Sequence, residues 1–307
     1  MTFDRRHILS MKDFTRDEID YILERAVKLE TLARGGRSDL LTGNILALLF
    51  YEPSTRTRMS FETAMLRLGG SVLNLGSKEA SSVVKGETLA DTIRVVSTYS
   101  DAIVLRHPSE GSARMAAEFA SVPIINGGDG AGHHPTQTLL DLYTIKKESH
   151  LDNLDIAIVG DLKYGRTVHS LAYALSLYCA NITLVSPPQL KMPDQIKGDL
   201  KAMGARVSET ENLEEVLDNV DVLYMTRIQK ERFPDPTEYN KVVGAYKITG
   251  EHLENVREDM IVMHPLPRVY EIDSSVDDSA HARYFEQSFY GVPIRMALLT
   301  IVLGVEI

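Results

Sequence analysis

Three hydroxyls and two guanidinium groups crowd into Ser54-Thr55-Arg56-Thr57-Arg58, directly after Glu52-Pro53 and the apolar run at 45–51. The apolar run reads as a strand buried on both faces. After the break, Phe61, Ala64, Met65 and Leu68 recur at helical spacing, and Gly69-Gly70 supplies a stop. The hydroxyls and arginines therefore sit where a strand hands over to a helix N-terminus. Backbone N–H groups and the positive end of the helix dipole point outward there and favour an anion. One hydroxyl suffices for an N-cap, so three of them favour a phosphate-sized ligand over a capped helix with surface arginines. Arg56 and Arg58 lie two apart and diverge on a helix, and Arg56 is assigned to the ligand.

Other places could carry chemistry. Arg106-His107-Pro108 follows a short strand at 102–105, at the same expected sheet edge as Arg56. His134-Pro135-Thr136-Gln137 follows the glycine-rich break at 127–132. His133 and His134 are adjacent and would not present nitrogens to one metal, and no third ligand at zinc-like spacing accompanies them. A His donor aimed at a carbonyl oxygen is the better use. Ser81, Ser82 and Lys85 lie in a loop ahead of Gly86-Glu87-Thr88, which reads equally as solvated surface or as a lid carrying a mobile cation.

In the second half, Gly160 to Thr167 connects a strand to a helix. It matches neither the dinucleotide fingerprint nor a P-loop, and taken alone it reads as a turn. Arg166 nonetheless opens a helix, and Thr226-Arg227-Ile228-Gln229 follows a strand at 222–225 in the same manner, with Arg232 shortly after. Arginines here, against the donors of the first half, point to two anionic ligands meeting. His264-Pro265-Leu266-Pro267-Arg268 ends another strand. Its prolines remove donors and leave carbonyl acceptors, compatible with a rigid turn or with ligand contact.

The elements that must position these groups alternate. An amphipathic helix (Ile19, Ile22, Leu23, Ala26, Val27) precedes strands at 45–51, 71–75, 102–105 and 122–126, with helices at 57–68, 89–99 and 112–119. A helix from about 138 to 148 follows. Strands at 156–159, 182–185, 206–208, 222–225 and 260–263 then alternate with helices at 166–178, 194–203 and 212–218, and an apolar helical segment follows Gly291-Val292-Pro293. This pattern predicts two doubly wound α/β domains with parallel sheets and an active-site cleft between them. The chain has 307 residues, enough for two domains. The expected domains are 1–133 with 288–307, and 134–287. A net charge of −10 argues against a nucleic-acid partner. Cys179 lies in an apolar helical pattern and reads as packing. The start lacks an apolar signal core and the longest apolar run is too short for a membrane span, so a cytoplasmic protein is expected.

Taken together, these motifs resemble the aspartate/ornithine carbamoyltransferase family nearly end to end. The elements at 54–58 and 134–137 are common to both branches. Thr226-Arg227-Ile228-Gln229 and His264-Pro265-Leu266-Pro267 resemble the aspartate branch, because Pro265 stands where the ornithine branch has Cys and arginines replace its acidic partner. The resemblance implies transfer of a carbamoyl group from carbamoyl phosphate to L-aspartate. An ornithine or other amine acceptor is the nearest alternative. A nicotinamide dehydrogenase is disfavoured by the missing fingerprint, and a non-catalytic relative by the presence of Lys85, His134 and Arg227.

The resemblance further implies that carbamoyl phosphate is bound by Ser54, Thr55, Arg56, Thr57, Arg106, His134 and Gln137. Ser81 and Lys85 would come from a neighbouring subunit, and Leu266 and Pro267 would complete the set. Aspartate would be held by Lys85, Arg166, Arg227, Gln229 and Leu266. Thr57, Arg106, His134 and Lys85 would act on the reacting atoms. Glu52 would pair with Arg166 and Arg232 when the domains close. No cofactor or metal is implied in the catalytic chain. A homotrimer with shared sites is implied, and a separate zinc-containing regulatory chain accompanies many relatives. Val84 departs from the family, whose members often carry a second lysine there.

Overall fold

The computed structural model describes residues 6–75, 85–130, 132–230, 233 and 235–307. Ser81, Ser82, Val84 and Arg232, singled out above, lie outside the described residues. The chain divides into two compact units, Met1–Leu140 with Phe289–Ile307, and Asp141–Ser288. Both are built on parallel sheets.

The first unit opens with helix α1 (Arg16–Gly35), capped by a reciprocal pair in which Thr15 accepts from the Glu18 amide and Glu18 from the Thr15 amide. Its Ile19, Ile22, Leu23 and Ala26 stripe is buried. There follow β1 (Ile45–Phe50), α2 (Thr55–Arg67), β2 (Ser71–Asn74), α3 (Leu89–Val96), β3 (Ala102–His107), α4 (Ser112–Phe119) and β4 (Ile124–Asp129). The sheet order is β2-β1-β3-β4. Ala47 and Leu49 of β1, in register with Ile103 and Leu105 of β3, pack with Ile93 of α3 and Ala116 of α4. Leu46, Leu48 and Val104, on the alternate positions, are buried as well. Burial on both faces is why β1 reads as an unbroken apolar run.

Helix α5 (Pro135–Glu148) leads to β5 (Asp155–Val159), α6 (Arg166–Ser176), β6 (Asn181–Val185), α7 (Asp194–Ala202), β7 (Arg206–Thr210), α8 (Glu214–Leu217), β8 (Val222–Met225), α9 (Pro236–Val242), β9 (Ile261–Met263) and α10 (Tyr284–Val302). The second sheet runs β7-β6-β5-β8-β9. Its core gathers Ala157, Val159, Leu223, Met225 and Val262 from three strands with Val216, Leu217 and Tyr284 from helical segments.

The alternation is as the sequence indicates, and several boundaries differ. Strand β3 continues through Arg106 and His107, and β4 runs into Gly127, Gly128 and Asp129 instead of ending before the glycines. Every β4 position is buried, so side-chain-free residues fit there. Helix α5 begins at Pro135, whose missing N–H is harmless in a first turn. The helix expected at 212–218 is a single turn. Helix α10 begins at Tyr284 and carries Pro293 inside it, so Gly291-Val292-Pro293 does not precede the helix. Cys179 is exposed with φ of 56° in the turn after α6, not packed within it. Among the described residues, no helix is long and apolar enough to cross a membrane.

Candidate active site

Each sheet reverses its strand order at one place, and that is where open α/β sheets bind ligands. In the first unit β2 lies on one side of β1 and β3 on the other. The ends of β1 and β3 therefore frame a crevice. The end of β1 leads through Glu52 and Pro53 into α2, and Arg106 lies near the end of β3, in register with Phe50. The β3–β4 register shifts between Leu105 and His107, at Arg106 itself. Such an irregularity turns a side chain away from the regular alternation.

Ser54 is the N-cap of α2 in extended conformation, yet its side chain makes no capping bond to the helix. Thr55 and Arg56 are exposed in the first turn, while Thr57 is buried. Thr57 Oγ1 lies 3.4 Å from His134 Nε2. Arg106 Nη1 donates to the Gly127 carbonyl at 3.0 Å, and its Nε is 3.6 Å from Glu52 Oε2. The Gln137 amide donates to the His134 carbonyl at 3.0 Å, closing the first turn of α5 over the half-buried Gln137. Lys85 is exposed, just ahead of Thr88, the residue that caps α3.

The turn before His134 is held by two residues that the sequence did not single out. Asp129 Oδ1 accepts from the His133 amide at 2.7 Å and from Asn126 Nδ2 at 3.1 Å, and its Oδ2 accepts from the Gly111 amide at 3.0 Å. Asn126 also accepts from the Gly128 amide and donates to the Leu9 carbonyl. Burial pushes the neighbouring His133 below its usual value, against the opposing pull of Asp129.

The second unit repeats the plan. β6 lies on one side of β5 and β8 on the other, so the ends of β5 and β8 frame its switch point. β5 leads through Gly160 and Asp161 to Arg166 at the start of α6, and β8 leads to Thr226, Arg227 and Gln229. The two strand ends approach closely. Gly160 has φ of 121°, and a Cβ there would lie 2.3 Å from the Thr226 carbonyl oxygen. A side chain would force the strand ends apart. Arg166 is buried, and Arg227 and Gln229 are half-buried.

Asp161, wholly buried, ties the two loops together by accepting from the Tyr164 amide at 2.9 Å and the Gln229 amide at 3.4 Å. It too escaped the sequence reading, because its partners are set by the β5–β8 adjacency. At the end of β9, Leu266 adopts φ of 52°, and its amide donates to His264 Nδ1 at 2.8 Å. Pro267 follows and is exposed.

Known proteins resemble the chain over nearly its whole length. Residues 6–147 match the family model described as "Aspartate/ornithine carbamoyltransferase, carbamoyl-P binding domain", and residues 152–302 match its "Asp/Orn binding domain". The aspartate carbamoyltransferase catalytic subunit of Methanothrix thermoacetophila is 71% identical over 299 residues, covering 97% of this chain and 98% of that protein. The solved catalytic subunit of M. jannaschii aspartate transcarbamoylase superposes with a TM-score of 0.90 at 58% identity, over 97% of this chain and 98% of that one. Aspartate transcarbamoylase from Trypanosoma cruzi, solved with carbamoyl phosphate and aspartate, gives a TM-score of 0.92 at 42% identity over 98% of each chain. With two parallel sheets and relatives matched over nearly their whole length, the chain belongs to the aspartate/ornithine carbamoyltransferase family.

Proposed function

We infer that this chain transfers the carbamoyl group of carbamoyl phosphate to the α-amino group of L-aspartate, giving N-carbamoyl-L-aspartate and phosphate, an early step of pyrimidine synthesis. The observation that carries the residue-level reading is the 3.4 Å separation of Thr57 Oγ1 and His134 Nε2. Two such groups from different elements can reach a single carbonyl oxygen.

In this reading Ser54, Thr55, Arg56 and Arg106 hold the phosphate, assisted by the first amides of α2. Gln137, with the Leu266 and Pro267 turn, holds the carbamoyl amide. Thr57, Arg106 and His134 direct hydrogen bonds at the carbonyl oxygen, and these strengthen as the amine adds and charge gathers there. Collapse of the tetrahedral intermediate breaks the carbon–oxygen bond to phosphate, and the departing phosphate takes the amine's proton. No side chain need act as a general base. Arg166, Arg227 and Gln229 hold the aspartate carboxylates, and the Leu266 carbonyl orients its amine. Rate enhancement then rests chiefly on holding two anions in register, for which about 7–11 kcal/mol is the upper range.

The active assembly is proposed to be a homotrimer in which Ser81 and Lys85 serve a neighbouring subunit's site. Glu52 is proposed to favour the closed state by pairing with Arg166 and Arg232. A cytoplasmic location and an optional zinc-containing regulatory chain complete the proposal. The decisive experiment is an assay with carbamoyl phosphate and either acceptor: product is expected with L-aspartate, and product with ornithine alone would overturn the assignment.

A further inference from the structure

His134 has two ring nitrogens, and only one arrangement of its proton suits a donor aimed at a carbonyl oxygen. Its Nε2 faces Thr57 Oγ1. Its Nδ1 lies 3.5 Å from Thr136 Oγ1, the hydroxyl of a residue with no exposed surface. The same hydroxyl is reached by Arg295 Nη2 of α10, at 3.4 Å. These separations are at the long end for hydrogen bonds.

Arg295 is placed with care. It is 2% exposed, and its guanidinium lies 5.0 Å over the ring of Phe61, one helical turn beyond Thr57 on α2. It thus contacts both α2, whose first turn carries Thr57, and α5, which His134 immediately precedes. One turn before it on α10 stands Gly291, where a Cβ would lie 2.1 Å from Arg295 Nη1. The interior of α10 carries a glycine at the spot the guanidinium occupies, at a cost of about 0.5–1 kcal/mol relative to alanine.

We propose that Arg295, acting through Thr136, sets the proton of His134 on Nε2 and so makes that nitrogen the donor to the carbonyl oxygen. A guanidinium only donates, whereas a hydroxyl has one hydrogen and can both accept and donate. With Arg295 donating to it, Thr136 Oγ1 directs its own hydrogen to His134 Nδ1. Nδ1 then accepts, and the ring proton resides on Nε2. Without the arginine the hydroxyl can instead accept from a protonated Nδ1. That leaves Nε2 with a lone pair, which repels a carbonyl oxygen. Arg295 and Thr136 are positioning residues, and the proposal rests on the role given to His134 above.

The test is ¹⁵N NMR of the full unliganded chain with labelled histidine, His134 being assigned by its loss in His134→Asn. The wild type is expected to show an unprotonated Nδ1 and a protonated Nε2. Thr136→Val preserves volume and removes the hydroxyl, and Gly291→Ala displaces the guanidinium without deleting it. Both are expected to move the population towards the Nδ1-protonated form and to lower kcat by about ten- to a hundredfold, with KM for aspartate little changed. Thr136→Ser restores the hydroxyl and should rescue the tautomer. A wild-type ring protonated on Nδ1, or a tautomer indifferent to Thr136→Val, overturns the proposal. A tautomer that follows Thr136 while turnover is unaffected upholds it and overturns instead the catalytic reading of His134.

Discussion

His264 Nε2 lies 2.8 Å from Glu271 Oε1, and both side chains are almost wholly buried, at 1% and 3% exposure. The other ring nitrogen of His264 accepts the Leu266 amide, so the ring turns its Nε2 proton to the carboxylate. Glu271 Oε2 takes the amides of Val269 at 3.2 Å and Tyr270 at 3.1 Å. The turn that presents the Leu266 carbonyl is thereby pinned from both ends.

Acid should loosen that turn first through Glu271. Burial alone would raise its carboxyl, but the hydrogen bond from His264 together with the Glu271 and Tyr270 amides holds it below the usual carboxylate value. A carboxylate lowered in the folded state adds stability that is complete above its unfolded value, 4.5, and is lost as pH falls through the folded one. Glu271→Gln is therefore expected to cost about 1–3 kcal/mol at neutral pH. The gap to wild type should narrow as pH falls below 4.5 in a series of urea denaturations. Parallel curves at every pH would exclude this role for the pair.

Arg56 is exposed, so removing it should leave the fold intact. If it bears on the phosphate as charge shifts to the leaving group, Arg56→Ala should lower kcat by about 10²–10³-fold. Its urea midpoint should match the wild type. A variant that retains full turnover would remove Arg56 from the site.

The passages at 54–57, 134, 166 and 227 were legible in the sequence because each follows a strand of a parallel sheet, and Arg106 because it lies near the end of one. Sheet order was not legible, and it decides which strand ends face each other. Asp161 is joined to Gln229 across 68 residues of sequence, and Thr136 to Arg295 across 159. No local pattern marks such contacts. Helix α9 was legible in principle: Asp235 precedes Pro236 and caps the helix by accepting from the Thr237 amide at 2.8 Å. Cys179 was misread because the helical pattern runs past Ser176, where the chain has already turned.

Replacing Asp161 should separate the two substrates kinetically. Asp161 holds the Gln229 amide and the Tyr164 amide from a fully buried position, and both belong to the loops assigned to aspartate. Asp161→Asn keeps the shape but loses the charge that strengthens both bonds. KM for aspartate should rise by about tenfold, the equivalent of one such bond. The Kd for carbamoyl phosphate, measured by calorimetry, should stay within error. An equal loss for both ligands would mean the aspartate loops are not what Asp161 supports.

Shared sites have a numerical signature. Suppose Lys85 of one chain completes the site that Arg56 of the next chain begins, around a closed three-fold ring. Arg56→Ala chains and Lys85→Ala chains are each inactive alone, since every site in either homotrimer lacks one cation. In any mixed trimer, one site draws an intact Arg56 from the Lys85→Ala chain and an intact Lys85 from the Arg56→Ala chain. Equal amounts refolded together place most chains in mixed trimers, so roughly a quarter of wild-type specific activity should return. Native mass measurement on the same sample checks that trimers formed. Mixed trimers without recovered activity would mean that each chain completes its own site.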